Sequence, residues 1–436
     1  MRLSVIGLGK LGACIASVFA AKGFRVIGVD ANENIVKSIN DRCASFFEPK
    51  LSQYLTKAKK NLLATSDHNR AIIDSDVTFL VVPTPSLSSG HFSDKYLQEV
   101  LKKLSLILRE SNKKHHLFVV VSTVSPGTIS EKLIPLIEKY SRRKLNDGFS
   151  ICYNPSFIAL GNVIDNFLKP DMILIGEDNK TEGNHLETIY KRVCENHPYI
   201  ARMSIISAEI TKISLNSYIT MKISFANTLA NICEKIPEVD IDQITKALGI
   251  DRRIAPYYLK GGLSFGGPCF PRDNRAFVAF AKRWGIKAEL ALATDRINEF
   301  QIENIMKLIY ANCPKQKNIK IAILGTAYKM NTPVIDDSPA LKIIERLLRS
   351  RNMKIIVYDS LALESTKKYF LDNIEYATSV KKCLKDAALA VITLPYPEFQ
   401  LIDNIKKTTA VIDCWRILDK AKLGNKVKYI VLGRHM

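Results

Sequence analysis

The chain has 436 residues, of which 47% are hydrophobic and 24% charged. This is the composition of a globular protein, and at ~150 residues per domain the length predicts two or three domains. Lys and Arg (63) outnumber Asp and Glu (43), for a net charge of +20. Because the lysines are spread along the chain rather than gathered into a stripe, we expect no nucleic-acid partner and interpret the charge as favouring a diphosphate ligand.

The N-terminus is apolar enough to imitate a signal peptide, but glycines interrupt it and no small-residue cleavage site follows. No later stretch reaches the ~18 apolar residues of a membrane span. Nine cysteines are scattered without a C-x-x-C pair or a His-rich cluster, which predicts reduced thiols and argues against a zinc site or disulfide framework. We therefore expect a cytoplasmic protein with no metal and no membrane partner.

The first thirty residues predict a β-α-β unit with strands at 3–6 and 25–29. The turn after the first strand matches G-x-G-x-x-G, the pattern that lets a backbone approach a pyrophosphate and a helix pack closely; its glycines are Gly7, Gly9 and Gly12. Asp30 ends the second strand, where a carboxylate accepts the ribose hydroxyls and repels a 2′-phosphate. The unit therefore predicts NAD rather than NADP as cofactor.

Three further apolar runs end in polar or turn residues: "DVTFLVVPTPS" (76–86), "LFVVVSTVSPGT" (117–128) and "MILIG" (172–176). In a doubly wound sheet the carboxyl ends of the strands line the ligand crevice. We therefore expect Thr84, Ser122 and Thr123 to face the cofactor or the substrate. Ordinary turn chemistry is the alternative for each of them.

From about Ser204 the pattern becomes helical, and "SAEITKISLNSYITMKISFANTLANICEKI" contains neither Gly nor Pro. Apolar residues recur at three- and four-residue spacing, which predicts one long helix. Lys212 and Asn216 stand four apart, so the helix presents an amine and an amide on one face. By spacing alone, a solvated polar pair on an amphipathic helix remains the alternative.

The stretch "GGLSFGGPCFPRDNRAF" (261–277) crowds glycines around one cysteine, Cys269. Glycine permits positive φ and close backbone approach, so such a loop can wrap around a ligand and present one reactive group. The alternative is a flexible turn in which the cysteine has no functional role, since such a turn is compatible with the same sequence.

The strand-loop-helix rhythm returns at "NIKIAILGTAYKMNTP" (318–333) and continues through "KIIVYDS", "LAVITLPYP" and "TAVIDCWR". This predicts a second α/β domain, with "CPKQKN" (313–318) as its boundary. The expected fold is therefore two Rossmann-like doubly wound domains joined by a long central helix. We assign residues 1–203 to an NAD-binding domain, 204–312 to a central helical domain and 313–436 to a sugar-nucleotide-binding domain, this last role following from the resemblance below.

Together, G-x-G-x-x-G with Asp30, "STVSPGT", K-x-x-x-N, "FGGPCFPRD" and "GTAYK" closely resemble the UDP-glucose/GDP-mannose dehydrogenase family. The resemblance covers nearly the whole chain in the family's order, and the cysteine loop is its most specific element. It implies oxidation of a sugar C6 alcohol to a carboxylate by two hydride transfers to NAD, through a thiohemiacetal and a thioester on Cys269.

The resemblance also implies catalytic roles for four other residues. Lys212 and Asn216 stabilise negative charge on the C6 oxygen, while Asp273 and Thr123 help to activate and hold the water that hydrolyses the thioester. A β-hydroxyacid dehydrogenase shares the Lys-x-x-x-Asn helix, so a simple two-electron oxidation stays open without the cysteine.

Further matches concern binding. The implied cofactor contacts include Arg272, besides the glycines, Asp30, Thr84, Ser122 and Thr123. The implied substrate contacts, besides Lys212 and Asn216, are Phe157, Arg253, Tyr258, Gly266 and Lys329. Arg253 matches a family arginine that reaches the substrate of the neighbouring subunit, which implies a homodimer.

The chain departs from the family at N-P-E-F-x-x-E-G, where it reads "NPSFIALG" (154–161), so Ser156 and Leu160 replace two glutamates. The first is credited with assisting thioester hydrolysis, and serine is a poor general base at neutral pH. Asp273 and Thr123 therefore carry the hydrolysis alone, or the reaction stops at an aldehyde or thioester, or the chain has changed chemistry.

Two more departures lie in the C-terminal region, where Asp336 and Trp415 replace arginines and Arg416 follows one place on. They leave the nucleotide base open. We expect UDP-glucose, with a GDP-mannose or UDP-N-acetylhexosamine substrate, or a non-catalytic sugar-nucleotide-binding protein, as alternatives.

Overall fold

The computed structural model describes residues 1–158, 160–314, 318–350, 353–402, 409–423 and 427–435. The chain forms two compact units, Met1–Ser214 and Leu215–Met436, and the division falls inside the long helix. The three domains expected from the sequence, and the two boundaries between them, remain predictions; residues 315–317 of the expected boundary at 313–318 lie outside the described residues.

Unit 1 is built on a twisted, largely parallel sheet. Its described strands are β1 (Arg2–Ile6), β2 (Arg25–Val29), β3 (Leu62–Thr65), β4 (Val77–Leu80), β5 (Leu117–Val120), β6 (Lys144–Leu145), β7 (Gly148–Tyr153), β8 (Met172–Glu177) and β9 (Tyr199–Met203). They lie in the order β3-β2-β1-β4-β5-β7-β8-β9, with β6 beside β7. Only the β7–β8 pairing is antiparallel among these strands.

The register of the central strands decides where the loops meet. Ile6 at the end of β1 pairs with Leu80 at the end of β4, which pairs with Val120 at the end of β5. All four residues of β4 and of β5 are buried, as expected for strands covered by helices on both faces. The loops after these strands therefore emerge side by side at one edge of the sheet.

The described helices of unit 1 alternate with these strands. They are α1 (Lys10–Ala21), α2 (Glu33–Asn40), α3 (Leu51–Ala58), a 3₁₀ turn (Lys59–Asn61), α4 (Asn69–Ile73), α5 (Lys95–Glu110), a π-helical turn (Ile129–Leu133) that continues into α6 (Ile134–Ser141), α7 (Val163–Leu168), α8 (Lys180–Val193) and the start of α9 (Ile205–Cys233). The predicted β-α-β unit is confirmed, with the first strand beginning one residue earlier than expected.

Unit 2 contains the rest of α9, then α10 (Ile241–Ile250), α11 (Phe270–Arg283) and α12 (Glu289–Asn312), followed by a second parallel sheet. Its strands are β10 (Ile319–Leu324), β11 (Met353–Tyr358), β12 (Glu375–Tyr376), β13 (Leu389–Ile392), β14 (Ala410–Asp413) and β15 (Lys428–Val431), in the order β12-β11-β10-β13-β14-β15. Its remaining described helices are α13 (Pro339–Leu348), α14 (Leu363–Phe370), α15 (Val380–Leu384) and 3₁₀ turns at Leu371–Asn373, Pro397–Leu401 and Lys420–Lys422.

The predicted fold class is confirmed: two doubly wound α/β sheets and one long helix. The helix predicted across 207–236 runs from Ile205 to Cys233. Within the part of the chain that the structure describes, no helix is both long and apolar enough to cross a membrane.

Candidate active site

The glycine turn after β1 forms a tight cradle at the start of α1. Gly7 adopts φ +89°, in the region that favours glycine, and its N–H donates to the Val29 carbonyl at 2.8 Å. A Cβ on Gly12 would lie 1.8 Å from the Gly7 carbonyl oxygen, whereas a Cβ on Gly9 would meet nothing within 4 Å. The cradle therefore needs glycine at position 12 for packing and leaves open space at position 9, where a diphosphate can approach the helix N-terminus.

Asp30 is held in place by the backbone around it. One carboxylate oxygen accepts the N–H of Leu8 in the glycine turn at 2.7 Å, and the other accepts the N–H of Asn32 at 2.8 Å. The side chain is half-buried at the end of β2. A fixed carboxylate beside the cradle fits a ribose diol and disfavours a 2′-phosphate, so the residues present fit NAD.

Hydrogen bonds connect the loops that follow β4 and β5, where Thr84, Ser122 and Thr123 lie; that these residues face a ligand stays a prediction. The Thr84 hydroxyl donates to the Thr123 carbonyl at 2.7 Å, and the Ser122 hydroxyl donates to the Val82 carbonyl at 2.6 Å. Thr123 is half-buried. These bonds join the two loops into one surface at the carboxyl edge of the sheet.

Lys212 is buried, with 6% of its surface exposed. Its ammonium donates to the backbone carbonyl of Ser156 at 2.9 Å and lies 4.7 Å from the centre of the Phe157 ring. Asn216 is equally buried, at 6%. The alternative of a solvated pair is wrong, because the face that carries both side chains is turned away from water.

In unit 2, Asn216 contacts the segment after the cysteine loop. Its amide donates to a carboxylate oxygen of Asp273 at 2.6 Å, and Asp273 has no exposed surface. The Arg272 guanidinium lies 3.3 Å from the other oxygen of the same carboxylate. A buried carboxylate is thus matched by one charged and one neutral donor, as such a group requires.

Cys269 is the residue that precedes the first turn of α11, and it is exposed. The N-terminal end of a helix carries partial positive charge, which stabilises a thiolate there. Gly267, two residues earlier, has φ +90°, and a Cβ on it would lie 2.4 Å from the Tyr328 ring. The loop therefore needs glycine at position 267, both for its backbone conformation and for its packing against Tyr328.

Buried amide side chains hold the same loop, and sequence reasoning missed them. Asn227 accepts from the Gly262 N–H at 2.9 Å, and Gln301 donates to the Gly262 carbonyl at 2.6 Å. Asn298 accepts from the Phe265 N–H at 2.8 Å and donates to the Phe265 carbonyl at 3.0 Å. The signal for them in the sequence is weak: Asn298 and Gln301 are two amides, three residues apart, among the buried residues of α12.

Sequence reasoning also missed a second network of hydrogen bonds, formed by Asn274, the residue after Asp273. Asn274 accepts from the Ser217 hydroxyl at 2.7 Å and donates to the Asp295 carboxylate at 2.8 Å. Asn274 has no exposed surface, and burial raises the pKa of the Asp295 carboxyl. This network ties α9, α11 and α12 together within unit 2.

The other expected binding residues of unit 2 lie in loops. A Cβ on Gly266 would lie 2.1 Å from the Asp337 carbonyl oxygen, so this glycine allows the cysteine loop to pack on the segment after β10. The Lys329 ammonium lies 6.0 Å from the centre of the Tyr328 ring. Tyr258 is half exposed, at 50%, with its ring centre 5.9 Å from that of Phe270.

Arg253 lies on the surface after α10. Its side chain is 87% exposed and pairs with Asp251 at 2.7 Å. Exposure is what a residue that reaches a neighbouring subunit requires, and its role there stays a prediction.

Trp415 and Arg416, near the C-terminal end of the chain, both form hydrogen bonds within unit 2. The Trp415 indole N–H donates to the Thr393 carbonyl at 2.8 Å. Arg416 forms a two-point ion pair with Asp242, at 2.8 and 2.9 Å, and its side chain is 1% exposed. Arg416 thus joins the segment after β14 to α10. Among the described residues, no cluster of three or more His, Cys, Asp or Glu side chains is arranged to hold a metal ion.

Comparison with known proteins agrees with this geometry. Three family models match the chain: the NAD-binding domain of the UDP-glucose/GDP-mannose dehydrogenase family over residues 1–194, its central domain over 206–300 and its UDP-binding domain over 322–420. The UDP-glucose 6-dehydrogenase of Haloferax volcanii is 34% identical over 426 residues, covering 96% of this chain and 98% of the relative. The GDP-mannose 6-dehydrogenase of Azotobacter vinelandii is 32% identical, covering 86% and 82%.

Among solved structures, a UDP-glucose dehydrogenase from Pyrobaculum islandicum superposes with a TM-score of 0.91 at 28% identity, covering 99% of this chain and 98% of that one. The chain therefore belongs to the UDP-glucose/GDP-mannose dehydrogenase family. It is an NAD-dependent nucleotide-sugar 6-dehydrogenase, with NAD as its cofactor and a nucleotide sugar as its substrate.

Proposed function

We propose that the protein oxidises UDP-glucose to UDP-glucuronate in two steps, through a covalent intermediate on Cys269. The observation that carries the proposal is the placement of Cys269 at the N-terminus of α11, with Asp273 one turn later bonded to Asn216. The UDP-binding family model over 322–420 and the UDP-glucose 6-dehydrogenase relatives support UDP-glucose as substrate.

In the first step the C6 alcohol gives its hydroxyl proton to water, loses a hydride and becomes an aldehyde. NAD, when bound, supplies the hydride acceptor for both oxidations. Lys212 stabilises the negative charge that develops on the C6 oxygen, because its ammonium is buried and already oriented by the Ser156 carbonyl. Asn216 contributes a second donor: its amide has two N–H groups, and the bond to Asp273 uses one of them.

In the second step the Cys269 thiolate adds to the aldehyde carbon; the C–S bond forms as the C=O π bond opens, which gives the oxyanion of a thiohemiacetal. Loss of a second hydride leaves a thioester. Water then attacks the thioester carbonyl, the C–S bond breaks, and the products are the uronate carboxylate and the regenerated thiol. We assign Asp273 to activating this water and Thr123 to holding it.

A second candidate function is incomplete oxidation, and the position of Ser156 favours it. The Ser156 hydroxyl accepts the Ile158 N–H at 3.3 Å, and its carbonyl accepts Lys212. The residue thus organises the loop and orients the lysine but brings no carboxylate to the hydrolytic step. On this alternative the enzyme releases a 6-aldehyde or accumulates the thioester.

The nucleotide and the sugar are proposals too. GDP-mannose 6-dehydrogenases are among the relatives at 32% identity, so GDP-mannose is the first alternative substrate, followed by a UDP-N-acetylhexosamine. A protein that binds sugar nucleotides without turnover is the remaining alternative. It predicts stabilisation by the ligand with no NADH formed.

We also propose a homodimer, in which Arg253 contacts the substrate of the neighbouring subunit. The part of α9 in unit 2 exposes a stripe of large apolar side chains seven residues apart: Tyr218 (59%), Phe225 (52%) and Ile232 (50%). A helix that exposes such a stripe in an isolated chain is suited to packing against another helix.

The test is the number of NADH molecules formed per sugar nucleotide consumed, measured separately with UDP-glucose, GDP-mannose and UDP-N-acetylglucosamine. Intact-protein mass of the quenched enzyme is measured in parallel. Two NADH and a uronate product from UDP-glucose support the proposal. One NADH, or a burst that leaves a sugar adduct on Cys269, supports incomplete oxidation, and two NADH from another substrate would overturn the UDP-glucose assignment.

A further inference from the structure

A buried carboxylate in unit 1 connects two segments of the proposed active site. Glu209 lies near the start of α9 and has no exposed surface. One of its carboxylate oxygens accepts the Gly127 N–H at 2.7 Å, and the other accepts the Ile129 N–H at 3.1 Å. These amides lie more than 75 positions away along the chain, immediately after the "STVS" segment.

Each of the two segments that Glu209 connects contains a residue of the proposed reaction: Thr123 before Gly127, and Lys212 in α9. Gly127 lies four residues after Thr123, and its φ of +94° sets the turn that begins the next helix. Lys212 follows Glu209 by three residues, so the two side chains lie on one face of α9. Ala208, the residue before Glu209, packs against Gly176 in β8: a Cβ added to Gly176 would lie 2.8 Å from the Ala208 Cβ. This contact fixes the start of α9 against the sheet.

We infer that Glu209 is a positioning residue that holds the Thr123 segment in register with Lys212. The inference rests on the proposed roles of Thr123 and Lys212. A carboxylate suits this task because both of its oxygens accept hydrogen bonds, while the N–H groups at a helix N-terminus have no partner within their own helix. A glutamine offers one acceptor oxygen and sets an N–H donor against the other amide.

Burial makes the charged form of the Glu209 carboxyl unfavourable. Burial raises the pKa of the Glu209 carboxyl to about 7, against the opposing effect of the two amides. Of the charged groups around it, Glu131 on the capped helix raises the pKa further, and Lys212 lies one turn later on α9. Near neutral pH the carboxyl is therefore divided between a form that accepts both bonds and a protonated form that accepts one and loses the other.

The experiment compares Glu209→Gln with Glu234→Gln in the full-length enzyme. Glu234 is the matched control: it is a partly buried carboxylate just beyond the end of α9, it accepts one backbone N–H from Gly433 at 2.9 Å, and burial raises its pKa as well. Amide hydrogen exchange at Gly127 and Ile129 reports the tether directly, without relying on turnover. Steady-state kinetics at pH 6 to 9 report its consequence.

For Glu209→Gln we expect exchange at Gly127 and Ile129 to accelerate at least 10-fold and kcat to fall about 10- to 100-fold, the cost of misplacing a reacting group by up to an ångström. The KM for the sugar nucleotide changes little, and the rise of kcat with pH around neutrality disappears. Glu234→Gln keeps the wild-type kcat and pH profile. If Glu209→Gln fails to fold, Glu209→Asp and the pH dependence of exchange in the wild-type enzyme replace it.

Unchanged exchange at both amides, or accelerated exchange with a wild-type kcat and pH profile, would overturn the inference. Failure of the proposed function has a different signature. Wild-type enzyme that forms one NADH per sugar refutes the complete oxidation, while the exchange result and the fall in kcat for the first hydride transfer still decide the role of Glu209.

Discussion

The glycine cradle provides the sharpest prediction, because Gly9 and Gly12 belong to one motif but have opposite surroundings. A Cβ on Gly12 would lie 1.8 Å from the Gly7 carbonyl oxygen, against an ordinary contact of 3.4–4 Å, and Gly7 directly follows the last residue of β1. Over-packing of this kind costs about 1–3 kcal/mol. Gly12→Ala is therefore expected to lower the free energy of unfolding by that amount and to weaken NAD binding as a consequence.

Gly9→Ala tests the cradle itself. Its Cβ meets nothing within 4 Å, and its φ of −67° and ψ of −166° are accessible to alanine. We expect its free energy of unfolding to stay within about 0.5 kcal/mol of wild type. The methyl group occupies the approach of the diphosphate, so the Kd for NAD rises at least 10-fold, about 1.4 kcal/mol.

The assay is urea unfolding of each variant without ligand, followed by NAD titration monitored by intrinsic fluorescence. The two variants should separate: Gly12→Ala loses stability and affinity, whereas Gly9→Ala loses affinity alone. Wild-type NAD affinity in a stable Gly9→Ala variant would refute the placement of the diphosphate at this turn. Wild-type stability of Gly12→Ala would refute the packing argument.

Four further outcomes are expected. Asp30→Asn removes the charge that repels a 2′-phosphate, so the ratio of kcat/KM for NAD over NADP falls about 10-fold or more; an unchanged ratio contradicts the role of Asp30. Cys269→Ser blocks the thioester, so single-turnover assays yield one NADH and a hydrazide-trappable aldehyde, and a full yield of two NADH excludes the covalent route. The pKa of Glu209 is about 7 in the native state and about 4.3 in the unfolded chain, so its carboxyl makes the free energy of unfolding fall as pH rises between these values. Urea unfolding from pH 4.5 to 8 should show a smaller fall for Glu209→Gln than for the wild type. An equal fall in both proteins counts against the raised pKa of the buried carboxyl. Phe225→Asp places a charge in the exposed apolar stripe and should convert a dimer to monomers in sedimentation velocity, whereas a dimer that persists locates the interface elsewhere.

The features that the sequence predicted well are local in the chain. The first β-α-β unit, with its glycine turn and Asp30, lies within thirty residues, so the local sequence pattern is enough to predict its structure. The same holds for the long helix, whose observed bounds differ from the predicted ones by two or three residues. The resemblance to the family predicts roles for residues that lie far apart in the chain, because its motifs imply chemistry that periodicity alone does not show.

The tertiary structure decided the contacts between residues far apart in sequence. Whether Lys212 and Asn216 are solvated or buried depends on what packs against their helix, and no spacing rule contains that information. Asn216 meets Asp273 across 57 residues, and Glu209 meets Gly127 across 82. Such pairs are brought together by strand order and helix packing, so a single sequence determines the elements and chemical groups, while only the folded chain shows which groups share a site.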